Sequence, residues 1–191
     1  RYNKILLQRN NLLKDSDEFL IRDTLFVWDD TLSEQASKII CARNEFLTRL
    51  APIAEQKHAL LSDGKETLTM KTESGYVGSE KEIAEKLKAD LKNNLSRDIR
   101  LGFTSIGPHR DDIKFSLNGE DVKVYGSQGQ QRTVALSLKL AETEIFFNRF
   151  NEYPILILDD VLSELDKKRQ RKLLSCVKNL QTVFTSTELD R

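Results

Sequence analysis

The fold of this 191-residue chain is decided by Ser127-Gln-Gly-Gln-Gln-Arg132, Ile155-Leu-Ile-Leu-Asp-Asp160 and Ser163-Glu-Leu-Asp166. An apolar run that ends in two carboxylates is typical of a strand buried on both faces of a parallel sheet. Helical spacing of apolar residues fills the interval between the first two stretches and resumes after the third, before the β-rich run Thr182-Val-Phe-Thr185. This alternation of helix and strand predicts an α/β fold for this part of the chain.

Helical periodicity covers most of the first sixty residues, where apolar residues recur every three or four positions. Thr31-Leu-Ser-Glu34 has the spacing of a capping box at a helix start, and Pro52 is expected to kink or break the helix near Leu50. A second capping box, Ser79-Glu-Lys-Glu82, predicts a helix of about five turns that ends near Gly102. The first half of the chain is therefore expected to be mainly helical.

Two β segments are predicted from alternating apolar residues. One covers residues 67–72 and is closed by a turn at Gly75-Tyr-Val-Gly78. The other is a hairpin that turns at Asn118-Gly119, with strands over 113–117 and 122–124.

The composition excludes several classes of protein. A hydrophobic share of 39% with balanced charge, 30 basic against 30 acidic residues, is that of a globular chain and not of a disordered, fibrous or globally basic nucleic-acid-binding one. Apolar runs stay far below the roughly 18 residues of a membrane span, and the chain starts at Arg1 without a signal sequence, so we expect a cytoplasmic piece of a longer protein with no membrane partner. Cys41 and Cys176 lie far apart in apolar-periodic segments and are interpreted as reduced core thiols.

The first candidate site is the helix start at Ser127, Gln128, Gly129, Gln130 and Gln131. A helix N-terminus has unpaired N–H groups and a positive dipole end, the glycine allows close backbone approach, and the serine and glutamines add neutral donors, so a phosphate would be held well there. The alternative is an ordinary N-cap serine followed by a glycine in a tight loop.

The second candidate site is the pair of carboxylates at the end of the predicted buried strand. Asp159 could bind Mg²⁺ through oxygen, and Asp160 could orient an attacking water. The alternative is a strand that simply ends in a polar turn. Ser163 and Asp166 follow at once, and both are also good N-cap residues for the next helix.

Two basic features are weaker candidates. Arg110 could contact a nucleotide phosphate or DNA, or else form a local ion-pair turn with Asp111 and Asp112. The run Lys167-Lys-Arg-Gln-Arg-Lys172, with Lys168 and Arg171 as candidates, could contact DNA phosphates, although a solvated helix face is the commoner meaning of such a run.

The order of these motifs is that of the second half of an ABC-type ATPase head. The sequence resembles the RecF family of bacterial DNA replication and repair proteins at Gly107-Pro-His-Arg-Asp-Asp112, in the stretches quoted above and at Leu138-Lys-Leu-Ala141. Leu7-Gln-Arg-Asn-Asn-Leu-Leu13 and Val27-Trp-Asp29 add to it, so the resemblance covers essentially the whole chain.

The resemblance implies a P-loop-type ATPase head with two lobes, here a mostly helical arm over 1–105 and the C-terminal part of the ATPase lobe over 106–191. It implies that ATP lies between two copies, with Ser127, Gly129 and Gln130 on the γ-phosphate in trans. Asp159 would be the Mg²⁺ ligand and Asp160 the catalytic carboxylate. Ser163 and Asp166 would form the loop that communicates across the dimer.

The implied function is ATP-dependent binding at gapped DNA, with an ATP-dependent homodimer, RecO and RecR as partners, and help in loading RecA. The full-length protein would be a slow, DNA-stimulated ATPase. Two other readings stay open: an SMC-like structural head, which would need long heptad repeats that the sequence lacks, and a non-catalytic interaction module.

The sequence departs from the ATPase pattern at three places. No GxxxxGK[ST] phosphate-binding loop occurs, so the chain is expected to hold half of a composite site and to be inactive alone. Asp160 stands where ABC ATPases usually have Glu, which is expected to slow hydrolysis. Thr185-Ser-Thr187 stands where transporters place a switch histidine, and the two histidines, His58 and His109, lie elsewhere.

Overall fold

The computed structural model describes residues 1–15, 18–163 and 165–185. The chain forms two compact units, each built from two separate segments. The first unit combines Arg1–Phe46 with Thr72–Ile113, and the second combines Leu47–Lys71 with the described residues from Lys114 onward. The boundary predicted near residue 105, between a helical arm and the C-terminal part of an ATPase lobe, stays a prediction.

The first unit is helical, as predicted. It contains α1 (Tyr2–Leu12), the first part of α2 (Glu18–Ser62), α3 (Glu80–Asn93) and α4 (Leu95–Leu101). Its core is formed by one face of each of the first three helices together with Tyr76. The buried members are Tyr2, Ile5, Leu32, Ala36, Ile40, Tyr76, Ile83, Leu87 and Leu91.

Two helix boundaries in this part differ from the sequence prediction. Thr31 and Ser33 lie inside α2 and not at its start, and their hydroxyls donate to the carbonyls of Val27 and Asp30 in the preceding turn. The helix expected from Ser79 to Gly102 is interrupted at Asn94, although its capping box and its end at Gly102 are confirmed.

The break expected at Pro52 does not occur, because α2 is continuous through it. A proline inside a helix costs about 3 kcal/mol, since it removes one hydrogen bond and crowds the preceding turn. Leu47, Leu50 and Ala54 are buried on either side of Pro52. Burial of this apolar face offsets the loss of one hydrogen bond.

The second unit contains two sheets. In the first, β1 (Leu68–Thr72), β2 (Ile113–Leu117) and β3 (Glu120–Asp121) lie in that order, and β2 and β3 pair antiparallel. The predicted hairpin is therefore present but short. Its second strand ends at Asp121 because that side chain caps a helical turn, α5 (Val122–Tyr125), by accepting from the Lys123 N–H at 2.8 Å.

The second sheet positions the candidate site. It pairs β4 (Leu156–Asp159) in parallel with β5 (Thr182–Thr185), and the chain crosses between them through α7 (Lys167–Cys176). Together with α6 (Gln128–Phe150) these elements bury a leucine-rich core. Its members are Leu61, Leu136, Leu140, Leu156, Leu158, Leu165, Leu173 and Val177.

Burial of β4 on both faces was predicted and is not observed. Leu156 and Leu158 are buried, but Ile155 and Ile157 on the other face are 59% and 68% exposed. Within the described residues this sheet has two strands, and the core packs on one side of it.

Both cysteines are free thiols, with Cys41 beside the core of the first unit and Cys176 beside that of the second. Among the helices of the described residues, none is both long and apolar enough to cross a membrane.

Candidate functional site

The start of α6 is a capping box. The hydroxyl of Ser127 accepts from the Gln130 N–H at 3.3 Å, and the Gln130 side-chain oxygen accepts from the Ser127 N–H at 2.9 Å. The first two N–H groups of the helix, those of Gln128 and Gly129, have no acceptor within an α-helix. The two interpretations of this stretch, an N-cap serine and a phosphate site, are therefore compatible with the same geometry. In both, the start of the helix is fixed and two backbone N–H donors are free.

The glutamine side chains of this loop hold it together. Nε2 of Gln130 donates to Glu66 at 2.9 Å, and Nε2 of Gln131 donates to the carbonyls of Val122 and Gly126 at 3.2 and 3.1 Å. Both side-chain amides therefore already have hydrogen-bond partners in the protein, whereas Ser127 and Gln128 are exposed. The donors left for a ligand are the backbone N–H groups and the Ser127 hydroxyl.

A buried polar chain continues behind the loop. Nε2 of His58 lies 3.1 Å from the second carboxylate oxygen of Glu66, and its Nδ1 lies 3.1 Å from the Ser137 hydroxyl on α6. His58 and Ser137 are completely buried. Burial lowers the pKa of His58, because the imidazolium form loses its hydration there. The ring therefore links α2 and α6.

Arg169 on α7 reaches the same loop. A Cβ added to Gly129 would lie 3.2 Å from Nη1 of Arg169, and the guanidinium lies 3.6 Å from Asp166 and 3.9 Å from Glu66. From the sequence alone, Arg169 is only one of the basic residues in the run 167–172. The close approach to Gly129 brings a cation to the candidate phosphate site.

The two carboxylates at the end of β4 have different surroundings. Asp159 is exposed, and one of its oxygens accepts a hydrogen bond from the Thr185 hydroxyl on β5. Asp160 has a left-handed backbone (φ +50°), and its N–H donates to the carbonyl and hydroxyl of Thr185, each at 3.1 Å. Oδ1 of Asp160 is buried and has no partner among the described residues.

Within the described residues, the lack of a partner for Oδ1 distinguishes Asp160 from a carboxylate in an ordinary polar turn. A buried polar atom without a hydrogen bond costs about 1–3 kcal/mol, and a left-handed non-glycine residue adds strain of about the same size. Such features are typical of functional positions. Ser186 and Thr187, beyond β5, lie outside the described residues.

The residues after β4 hold α7 in place. The Ser163 hydroxyl donates to the Asp160 carbonyl at 2.8 Å, and Asp166 caps α7 by accepting from the N–H groups of Lys168 and Arg169 at 2.9 Å. The backbone hydrogen bond from Arg169 lowers the pKa of Asp166. The capping role expected of Asp166 is confirmed.

The candidate site supplies only some of the ligands that a magnesium ion needs. No group of three or more metal-ligating side chains occurs in the described part of the chain. Mg²⁺ at nucleotide sites usually takes one or two carboxylates and completes its shell with phosphate oxygens and water. Asp159, exposed at the strand end, fits that use.

Comparisons with known proteins identify the family. The chain is 48% identical to the DNA replication and repair protein RecF of Lachnoclostridium phytofermentans over 190 residues, which is 99% of this chain and 51% of that protein. It is 47% identical to the RecF of Agathobacter rectalis over all of this chain and 51% of the relative. No family model matches. The chain belongs to the RecF family.

Two solved structures of RecF share the fold. They are described as the recombination mediator protein RecF with ATPrS and with ATP in the RecFOR pathway, and they superpose with TM-scores of 0.84 and 0.82 at 38% and 36% identity. Each match covers nearly all of this chain and 52% of the other. The predicted α/β fold of an ATPase head is confirmed, and the chain, which spans about half the length of its RecF relatives, corresponds to their C-terminal portion.

The basic helix of this RecF-family chain is largely paired. Lys168 and Lys172 both contact Asp63 in the turn after α2, the latter at 2.8 Å, and the hydrogen bond from Lys168 together with that from Lys172 lowers the pKa of Asp63 to about 2. Arg171 is exposed, and its Nε donates to the Lys167 carbonyl at 3.2 Å. The two residues predicted to contact DNA therefore have different surroundings. Lys168 has an acidic partner, whereas Arg171 is bonded only to its own helix within the described residues.

The RecF-family stretch at 107–112 lies in the first unit, near a buried arginine that sequence reasoning missed. Arg110 stacks on Phe103, with 4.6 Å from the guanidinium carbon to the ring centre. Arg9 is completely buried and donates to Asp29 and Asp98 at 2.7 and 2.8 Å. No local pattern marks Arg9, because its partners are 20 and 89 residues away.

Proposed function

We propose that this chain supplies α6, here called the signature helix, to a nucleotide site that two copies share. It would also supply the carboxylate that binds magnesium and the catalytic carboxylate. The protein would act as a RecF-type ATP-dependent DNA-binding protein in recombinational repair and replication restart at gapped DNA. It would work with RecO and RecR to help load RecA. The observation that carries the proposal is the start of α6, where Ser127 is fixed by its capping box while its hydroxyl proton and two N–H groups are free to bind a phosphate.

Each candidate residue has a specific task in this proposal. Ser127 and the N–H groups of Gln128 and Gly129 would bind the γ-phosphate held by the partner copy, and Gln130 and Gln131 would hold the loop in shape. Asp159 would bind Mg²⁺, which would neutralise charge on the phosphates. Asp160, with its unpartnered oxygen, would orient and deprotonate the attacking water.

The length of the relatives supports a composite site. The chain covers about half of each, and the solved structures that it resembles are described with ATP or ATPrS. We propose that the other half of the protein supplies the phosphate-binding loop and covers the exposed face of β4 at Ile155 and Ile157. The chain alone would then bind ATP weakly, because one helix N-terminus contributes only about 0.3–1 kcal/mol.

The experiment uses the full-length protein with Ser127→Arg. The added guanidinium and bulk would block the approach of the partner's γ-phosphate, so each monomer should bind ATP normally but fail to dimerise. Calorimetry measures binding, and sedimentation with a non-hydrolysable ATP analogue measures dimerisation. Lys139→Arg, on the exposed part of the same helix, is the matched control. Normal dimers of Ser127→Arg would refute the trans role.

A magnesium and nucleotide titration separates this proposal from a non-catalytic interaction module. Such a module should bind its partner equally well with and without Mg-ATP. DNA and RecR binding by the full-length protein that did not respond to Mg-ATP would favour the module.

A further inference from the structure

Glu66 supports the signature helix although it lies in neither motif. It precedes β1, its side chain is mostly buried, and one oxygen accepts the hydrogen bond from Gln130 at 2.9 Å. The other oxygen faces His58 at 3.1 Å. Arg169 lies beyond hydrogen-bond distance, at 3.9 Å. The carboxylate therefore contacts α2 and α6 and lies near α7.

The contacts of Gln130 allow its amide only one orientation. The Ser127 N–H can only donate, so it requires the side-chain oxygen of Gln130. An ionised Glu66 can only accept, so it requires the NH₂ group. The two partners together fix the amide with its oxygen toward Ser127 and its nitrogen toward Glu66.

A second capping box in the same chain shows how the third helical residue can also occupy the serine hydroxyl. At Ser79 the third helical residue is Glu82, and its carboxylate accepts from both the N–H and the hydroxyl of Ser79, each at 2.8 Å. The Ser79 hydroxyl proton is thereby used. At Ser127 the side-chain oxygen of Gln130 accepts from the N–H alone, its NH₂ group is held by Glu66, and the Ser127 hydroxyl donates to no described residue.

We propose that Glu66 is a positioning residue of the shared nucleotide site. By accepting from Gln130 it holds that side chain where its oxygen meets the Ser127 N–H and not the Ser127 hydroxyl, which stays free to donate to a phosphate oxygen. His58 in turn holds the carboxylate from the opposite side. This inference rests on the proposed trans role of Ser127, and it assigns to Glu66 no contact with the nucleotide.

The first test compares three variants of the full-length protein. Glu66→Ala removes the acceptor and should weaken ATP-dependent dimerisation about tenfold or more, which corresponds to about 1.4 kcal/mol. Glu66→Gln keeps an oxygen for Gln130 and should remain within about threefold of the unmodified protein, by the same conversion. Asp63→Asn is the control, because Asp63 lies in the same turn and pairs with α7 but not with Gln130.

The readouts separate positioning from a general loss of structure. ATP affinity of the monomer and the thermal unfolding midpoint should change little in Glu66→Gln and Asp63→Asn. The dimer dissociation constant is measured by sedimentation with a non-hydrolysable analogue. If the unmodified protein does not dimerise with ATP, the proposed function fails. If it dimerises and Glu66→Ala dimerises equally well, only the role of Glu66 fails.

The second test exchanges the two side chains in the double variant Glu66→Gln, Gln130→Glu. The hydrogen bond between the positions is restored, so the unfolding midpoint should recover from that of Glu66→Ala. Glu at 130 would also accept the Ser127 hydroxyl proton, as Glu82 does at Ser79, so dimerisation should stay at least about tenfold weaker. Normal dimerisation of the exchanged protein would overturn the proposal, because it would mean that any hydrogen bond between 66 and 130 is sufficient.

Discussion

Gly129 and Arg169 approach so closely that a Cβ on residue 129 would lie 3.2 Å from the guanidinium. A cation at a helix N-terminus is repelled by the positive end of the helix dipole. Asp166 and Glu66 offset that repulsion from 3.6 and 3.9 Å. Such a site, with a helix start and a guanidinium facing one space, attracts an anion.

Gly129→Ala tests whether that space is used. Alanine is the better helix former by about 1 kcal/mol and displaces only the flexible end of Arg169, so the fold should be unchanged or slightly more stable. In the full-length protein we expect ATP-dependent dimerisation to weaken at least about tenfold, equivalent to about 1.4 kcal/mol, because the methyl group stands where the phosphate would approach.

Sedimentation and thermal unfolding of Gly129→Ala provide the two measurements. Lys139→Ala, exposed on the same helix, should change neither. Dimers of normal affinity in Gly129→Ala would show that the phosphate does not approach this glycine.

The two carboxylates of β4 should respond differently to amide substitution. Asn tolerates the left-handed backbone of residue 160, so Asp160→Asn should fold, bind Mg-ATP and accumulate the dimer while turnover falls by about 10²–10⁴. Asp159→Asn should instead weaken Mg²⁺-dependent nucleotide binding by at least about tenfold. Nucleotide titrations with and without Mg²⁺, alongside turnover, distinguish them. Equal loss of binding in both variants would contradict the separate roles.

Because His58 is buried, we expect the free energy of unfolding to depend on pH. Burial lowers its pKa below 6.5, so below pH 6.5 the unfolded chain binds a proton before the folded chain does. Stability is therefore complete above pH 6.5 and falls as the pH drops below it, with a slope of at most about 1.4 kcal/mol per pH unit.

His58→Gln should remove this part of the slope. Burial lowers the pKa of His109 as well, so His109 contributes to the pH dependence of stability in both proteins. The effect of His58 is therefore the difference between the two slopes of unfolding free energy against pH. Urea unfolding between pH 5 and pH 7.5 measures it. Equal slopes in the two proteins would show that the folded and unfolded chains titrate His58 alike.

Local chemistry explains which features the sequence predicted. The capping box at Ser79, the N-cap at Ser127 and the helix end at Gly102 each depend on residues within one helical turn, and all three predictions are confirmed. The helical turn after β3 also had a local signal, since Asp121 is a good N-cap residue. The alternating valines that follow it favoured a strand instead.

The support of the candidate site could not be predicted, because it depends on contacts distant in sequence. Glu66 meets Gln130 across 64 residues, and His58 meets Ser137 across 79. No spacing rule connects such pairs. The exposed face of β4 was not predicted either, because an apolar run is typical of a strand covered on both sides, and we propose that the other half of the protein covers it.

The ion pairs of α7 indicate which of its basic residues are available to contact DNA. Lys168 and Lys172 both pair with the single carboxylate of Asp63, whereas Lys167 and Arg171 have no acidic partner in the described residues. If α7 contacts DNA, the double variant Lys167→Gln, Arg171→Gln should weaken binding to all sequences alike. It should lower the salt slope by about 0.9 for each lost phosphate contact on duplex DNA. Lys168→Gln, Arg171→Gln should then lower it by about half as much.

Affinities of the full-length protein and both variants across a salt series decide between DNA contact and a solvated surface. Because the net charge of the chain is zero, DNA binding by this region depends on local clusters and not on a general attraction. The two variants share Arg171→Gln and differ only in which of the two neighbouring lysines is replaced, so they separate Lys167 from Lys168. An unchanged slope in both would assign the whole run to the solvated surface and would leave Lys168 as a structural partner of Asp63.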